Sequence, residues 1–180
     1  MKNQIEAQEI ANRLDQAIHQ LLENERNILE RGLNELNLNG HLTGYLRPLF
    51  DGFHVDPEYN GDISKLNDRK EIEIAKNRMR QIGINPNDDD RYSLTPDIII
   101  HTRNSNYNNL LVLEIKKDSN STRNKEFDLL KLEHMTIDYQ GNHYHYKVGA
   151  ALIFGTGKKA SNFTIQYFQN GIPCDRQNLA

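Results

Sequence analysis

The chain has no tryptophan, one cysteine and no long apolar run, and each shortage narrows what it can be. A single thiol, Cys174, rules out an intramolecular disulfide and any cysteine-rich zinc site, and it reads as a small residue in the C-terminal tail. No apolar stretch approaches the roughly 18 residues of a membrane span. The opening MKNQIEAQEI lacks a signal-peptide core, so a cytoplasmic location without membrane contact is expected. Gly155-Thr156-Gly157-Lys158-Lys159 follows an apolar run but lacks the spacing of a phosphate-binding P-loop, and no glycine-flanked serine nucleophile is present. The missing tryptophan, set against abundant asparagine and isoleucine, points to an AT-rich coding sequence and to nothing mechanistic. Nor is there an overall basic excess: the net charge is −3, which counts against a polyanion partner. The distribution softens that objection. Residues 65–80 carry six basic side chains against three acidic ones, and residues 116–131 carry five against three. Each is either a basic groove or a solvated helix face.

What is present suits one soluble α/β domain over residues 1–180, with a mixed central sheet flanked by helices. Ile10, Leu14, Ala17, Ile18, Leu21 and Ile28 recur at helical spacing, which predicts an amphipathic helix from residue 4 to about residue 30, ended near Gly32. A second helix starts after Asn34, a good N-cap, and shows an apolar stripe of Leu38, Leu42, Tyr45 and Leu49. Projected back one turn, that stripe reaches Glu35. Phe53–Tyr59 reads as a strand that Pro57 confines to an edge or a bulge. Residues 67–82 read as a helix, and 85–91, with Asp88, Asp89 and Asp90, as a solvated acidic loop. Another helix is expected from Arg123 to Ile137, with Lys131 beside its apolar stripe. Tyr146–Phe154 should be the central strand and Phe163–Gln169 the last, with residues 170–180 as a loose tail. His143 and His145 lack a third zinc ligand at a recognisable spacing, and His101 is expected at the sheet rim.

The most informative segment is PDIIIHTRNSNYNNLLVLEIKK, residues 96–117. Two short β-branched-rich runs, Ile98–Ile100 and Leu110–Ile115, flank an asparagine-rich loop, which predicts an antiparallel hairpin. Pairing Thr102 with Leu111 sets Asp97 opposite Lys116, with Glu114 diagonal on the same face and Leu113 and Ile115 on the other. Two carboxylates about 4 Å apart repel by roughly 4 kcal/mol at an effective dielectric of about 20, so a divalent cation is their natural counterion. Oxygen donors favour Mg²⁺ or Mn²⁺, held by Asp97, Glu114 and the backbone carbonyl of Ile115. Lys116 beside such an ion would orient or deprotonate a water, or offset charge on a phosphoryl transition state.

These residues resemble the PD-(D/E)XK nuclease superfamily, the restriction-endonuclease-like fold. The likeness extends to Asn34-Glu35 at a helix start, the stretch 54–60, and residues 128–133, and covers roughly residues 34–155 as a core. It implies a Mg²⁺- or Mn²⁺-dependent nuclease that hydrolyses phosphodiester bonds of nucleic acid, with DNA as the expected substrate. It also implies a helix-borne acid near the metal, for which Glu35 is the candidate and Glu58 the alternative. Lys131 becomes a candidate to approach the scissile phosphate. A catalytically inactive module that binds nucleic acid or protein on the same fold remains the alternative. Residues 1–31 fall outside the core as a helical extension, expected to pack on the domain or to build a homodimer.

Overall fold

The computed structural model describes residues 5–61, 69–139 and 142–180, so Lys65 and the start of the helix expected from residue 67 lie outside the described residues. Helices α1 (Ala7–Asn24), α2 (Arg26–Glu30) and α3 (Glu35–Leu46) lead into strand β1 (His54–Pro57). An insertion of β2 (Glu71–Glu73), α4 (Lys76–Gln81) and β3 (Arg91–Ser93) follows. The chain then forms β4 (Ile98–His101), β5 (Leu111–Lys117), α5 (Thr122–Thr136), β6 (Val148–Phe154), β7 (Phe163–Gln169) and β8 (Ile172–Cys174). Six strands make a mixed sheet in the order β1-β4-β5-β6-β7-β8, with β5 and β6 parallel and the other neighbours antiparallel; β2 and β3 pair separately. Among the described residues no helix is long and apolar enough to cross a membrane.

The alternation of buried residues explains the two-sided packing. Ile98, Ile100, Leu111, Leu113 and Ile115 join α1 and α3 in one cluster, while Ile99 and Val112 join α5 and the insertion in the other. A strand covered on both faces reads as a continuous apolar run, as IIIH and LVLEI do.

α1 is not an appendage. Its residues Ile10, Leu14, Ile18 and Leu21 are fully buried in the first cluster, so its apolar stripe packs on the domain, one of the two expected arrangements. The expected tail is corrected. Residues 172–174 pair with β7, Leu179 is buried, and Arg176 is ion-paired to Asp15 of α1. Gly171, with φ +75°, permits the tight β7–β8 turn that a short polar stretch concealed.

The helix expected from residue 67 shrinks to α4. Lys70, Ile72 and Ile74 alternate inward with period two, which makes 71–73 a strand, and β3 forms opposite it, beginning at Arg91 where the expected loop ends. The edge position of β1 agrees with Pro57. Asn34 caps α3 by accepting a hydrogen bond from the Leu36 N–H, and Ser121 caps α5 by accepting from Asn124.

Candidate functional site

The β4–β5 hairpin forms, but its register differs from the sequence expectation by two residues. Ile100, not Thr102, pairs with Leu111, because the asparagine-rich loop takes up residues assigned to the ladder. A shift of two preserves the faces. Continuing the ladder one step brings Asp97 level with Glu114 and leaves Lys116 as the diagonal neighbour.

Glu35, at the first residue of α3, reaches the same place. Lys116 Nζ lies 3.7 Å from Glu35 Oε2, 3.7 Å from Asp97 Oδ2 and 3.1 Å from Asp128 Oδ2. It also donates to the Ile115 carbonyl at 3.0 Å. The ammonium therefore stands at the focus of Asp97, Glu35 and the Ile115 carbonyl, three of the oxygen donors that the sequence assigned to a metal. Behind it Lys131 Nζ bridges Glu114 Oε1 at 2.9 Å and Asp128 Oδ1 at 2.6 Å. Glu35, Asp97 and Lys116 keep between 17% and 25% of their side chains exposed, whereas Glu114 and Asp128 keep 2% and 6%. The first three form the mouth and the last two the floor.

Asp97 is held from both sides. Its Oδ1 accepts from the Asn39 amide at 3.0 Å and its Oδ2 from the Ile115 N–H at 2.6 Å. Asn39 is itself buried, one turn after Glu35, so α3 presents both residues to the sheet end.

Asp128 is the member the site reading lacked. It lies four residues before Leu132 and seven before Met135, on the buried face of α5, and three before Lys131. An acid in phase with an apolar stripe was the available signal. Lys131, expected beside that stripe, points inward. Glu58 is exposed, and its backbone N–H donates to the Asp97 carbonyl at 3.0 Å.

Four carboxylates against two ammoniums leave a formal excess of two negative charges in a mostly buried place. Burial pushes the Glu114 carboxyl up to about 8; Lys131 opposes this, and Asp128 and Asp97 add to it. Burial alone would lower Lys116, but Asp128, Asp97 and Glu114 outweigh it and hold the ammonium more firmly than usual. Lys131 is likewise raised, since Glu114 and Asp128 overcome its desolvation. Glu114 Oε1 and Asp128 Oδ2 are buried without a directed hydrogen bond, although ammoniums lie at ion-pair distance. A small cavity of about 40 Å³, lined in part by Glu114, Lys116, Lys125 and Asp128, adjoins them and has room for a water-sized group.

The raised Glu114 carboxyl has a pH consequence. Between about 4.5 and about 8 the folded chain keeps a proton that the unfolded chain has lost, so this group's contribution to stability falls as pH rises through that window. Denaturant unfolding in the presence of EDTA is expected to show Glu114→Gln flattening this slope and gaining on the wild type at pH 8.5, by up to a few kcal/mol. Parallel pH profiles for the two proteins would remove Glu114 as the source.

Other expectations resolve locally. Asp89 accepts from the Arg91 N–H and Asp90 adopts φ +60° in a turn, as a solvated acidic loop requires. His101 ends β4 beside the edge strand β1 and is buried there, with Nε2 3.0 Å from Asp56 Oδ2, and Arg103 also grips Asp56. The first basic stretch is largely engaged, with Lys70 buried against the rings of Tyr59 and Tyr144, Arg78 paired to Glu133, and Lys76 near Asp90. Among the described residues no group of three or more His, Cys, Asp or Glu side chains converges closely enough to hold a metal by itself. Compared with protein-family models, with curated proteins and with solved structures, the chain matches none.

Proposed function

We propose that the chain is a divalent-metal-dependent nuclease that hydrolyses phosphodiester bonds of nucleic acid, DNA in the first instance. The observation that carries this reading is the convergence of Glu35, Asp97, Asp128 and the Ile115 carbonyl on one ammonium, with Glu114 and Lys131 directly behind. Such a concentration of like charge at the end of a sheet is costly for stability alone, since buried ion networks gain little over apolar packing. Helix α3, strands β1, β4 and β5, helix α5 and strand β6 follow one another as the core of a restriction-endonuclease-like domain would, which supports the PD-(D/E)XK resemblance.

The donor set fits Mg²⁺ or Mn²⁺. All donors are hard oxygens, the formal excess is two negative charges, and Mg²⁺ typically takes one or two protein carboxylates while keeping several waters. Asp97, Glu114 and the Ile115 carbonyl would hold it, with Glu35 as an outer acid. When bound, the ion supplies neutralisation of phosphate charge and a more acidic water. Asp97 is preset for this by Asn39 and the Ile115 N–H. Lys116, held as an ammonium, offsets charge on the phosphoryl group better than it removes a proton from water. Lys131 keeps Glu114 and Asp128 aligned at the floor.

Cleavage of plasmid or oligonucleotide DNA with Mg²⁺ or Mn²⁺ tests the reading. Activity is expected from the wild type and is expected to fall by at least about a hundredfold in the isosteric Asp97→Asn. Equal activity in the two proteins removes Asp97 from the chemistry.

A second reading has one observation in its favour. Lys116 already compensates the mouth carboxylates, which is what a catalytically inactive binding module on the same fold would need. Calorimetry that finds a folded chain with no affinity for divalent ions supports that module over the nuclease.

A further inference from the structure

A polyanion approaching four carboxylates must meet compensating charge on the way in. The residues best placed to supply it follow β6. Lys116 and Lys117 pair with Ile153 and Phe154 in the parallel ladder, and the Asp118 N–H donates to the Phe154 carbonyl, so the segment Gly155–Lys159 begins beside the end of β5. This segment is built to hold one shape. A Cβ on Gly155 would collide with the Lys159 backbone carbonyl, Gly157 has φ +57°, and the Gly155 N–H donates to Asn162. The Thr156 hydroxyl donates to Asp118 Oδ1 at 2.7 Å, pinning the loop to the site's own strand.

Lys158 and Lys159 project from this fixed turn into solvent and form no salt bridge among the described residues, although Lys159 lies near enough to Asp118 to help hold its carboxyl below the usual range, after the Thr156 hydrogen bond. Lys125 joins them to the site, since its Nζ donates to the Asp118 carbonyl at 2.8 Å while its side chain lines the cavity beside Glu114 and Asp128. Lys117 Nζ is on the same edge, 3.2 Å from the Leu33 carbonyl just ahead of α3. The stretch 65–80, by contrast, spends most of its described cations on internal partners.

We infer that Gly155–Lys159 is a preorganised phosphate-binding turn, in which Lys158 and Lys159, backed by Lys125 and Lys117, seat the phosphodiester backbone of a nucleic acid at the mouth of the carboxylate site. The inference rests on the nuclease reading for the identity of the polyanion. The rigidity of the turn lowers the ordering cost that two lysines on a mobile loop would incur on binding.

Fluorescence anisotropy with a labelled DNA duplex, in Ca²⁺ and across a salt series, tests it on the full chain. The double variant Lys158→Glu/Lys159→Glu is expected to bind about tenfold or more weakly at moderate salt, with the slope of log affinity against log salt reduced by about 2. Arg80→Glu, on α4, is expected to change neither. Both alter exposed side chains, and unchanged thermal melting confirms folding. Wild-type affinity and slope in the double variant, an equal loss in Arg80→Glu, or a wild type with no affinity for DNA overturns the inference. The two readings fail separately. DNA cleavage that needs Asp97 but ignores the lysine reversals leaves the nuclease and removes the turn; salt-dependent binding lost with the lysines in a chain that never cleaves leaves the turn and removes the nuclease.

Discussion

Lys116→Ala is expected to lower metal-dependent cleavage by about a thousandfold while tightening divalent-ion binding at least about fivefold. The two effects go in opposite directions because the ammonium does two things. It is held as a cation by Asp128, Asp97 and Glu114 against the pull of burial, so it is available to offset charge on a phosphoryl group. It also stands at 3.0 to 3.7 Å from the Ile115 carbonyl, Asp97 and Glu35, the oxygens an incoming ion needs. Removing it raises the formal excess to three negative charges and clears the focus. Asp128 keeps Lys131 at 2.6 Å, so the variant remains folded. Titration of Mn²⁺ into both proteins, alongside single-turnover cleavage, measures the pair of effects. A variant that cleaves normally, or that loses its affinity for the ion, would show that Lys116 is a structural partner alone.

The second large effect is on stability. Asp128 touches both lysines, and its side chain and that of Lys131 are about nine-tenths buried. Without Asp128, Lys131 keeps only Glu114, a carboxyl whose burial favours its protonated form. Stripping one partner from a buried ion network in this way costs about 3–5 kcal/mol. Asp128→Ala should therefore lose about that much in urea unfolding at pH 7. Adding Lys131→Met should recover at least half, since the stranded charge leaves with the lysine. A loss under about 1 kcal/mol for Asp128→Ala would describe a solvent-screened pair instead.

These effects show how far local signals reached. Pro96-Asp97 and Glu114-x-Lys116 were readable because strand parity depends on neighbours, and a register error of two residues leaves parity intact. Asn34 marked the start of α3, and with it the place of Glu35, because caps act within one turn. Asp128 and Asn39 were missed for the opposite reason. Each is a polar residue on a helix face whose burial is set by what packs against it, and a search for apolar stripes passes over it. The insertion misled in the same way. KEIEIAKNRMRQI carries helix-favouring residues, yet Ile72 and Ile74 alternate toward the second core, and pairing with β3 decided the outcome. Helix α1 was recognised with its packing left open between the domain and a second copy, since amphipathic spacing reveals a buried face without naming the surface that buries it.

The most direct measurement is calorimetric titration of Mn²⁺ into the wild type and into Asp97→Asn at pH 7. A single saturable site in the wild type that is lost or weakened at least about tenfold in Asp97→Asn is the expected result, because Asp97 supplies a preset, partly open carboxylate to the ion. Identical isotherms for the two folded proteins, or no heat from either, would contradict a metal site at the head of the β4–β5 hairpin.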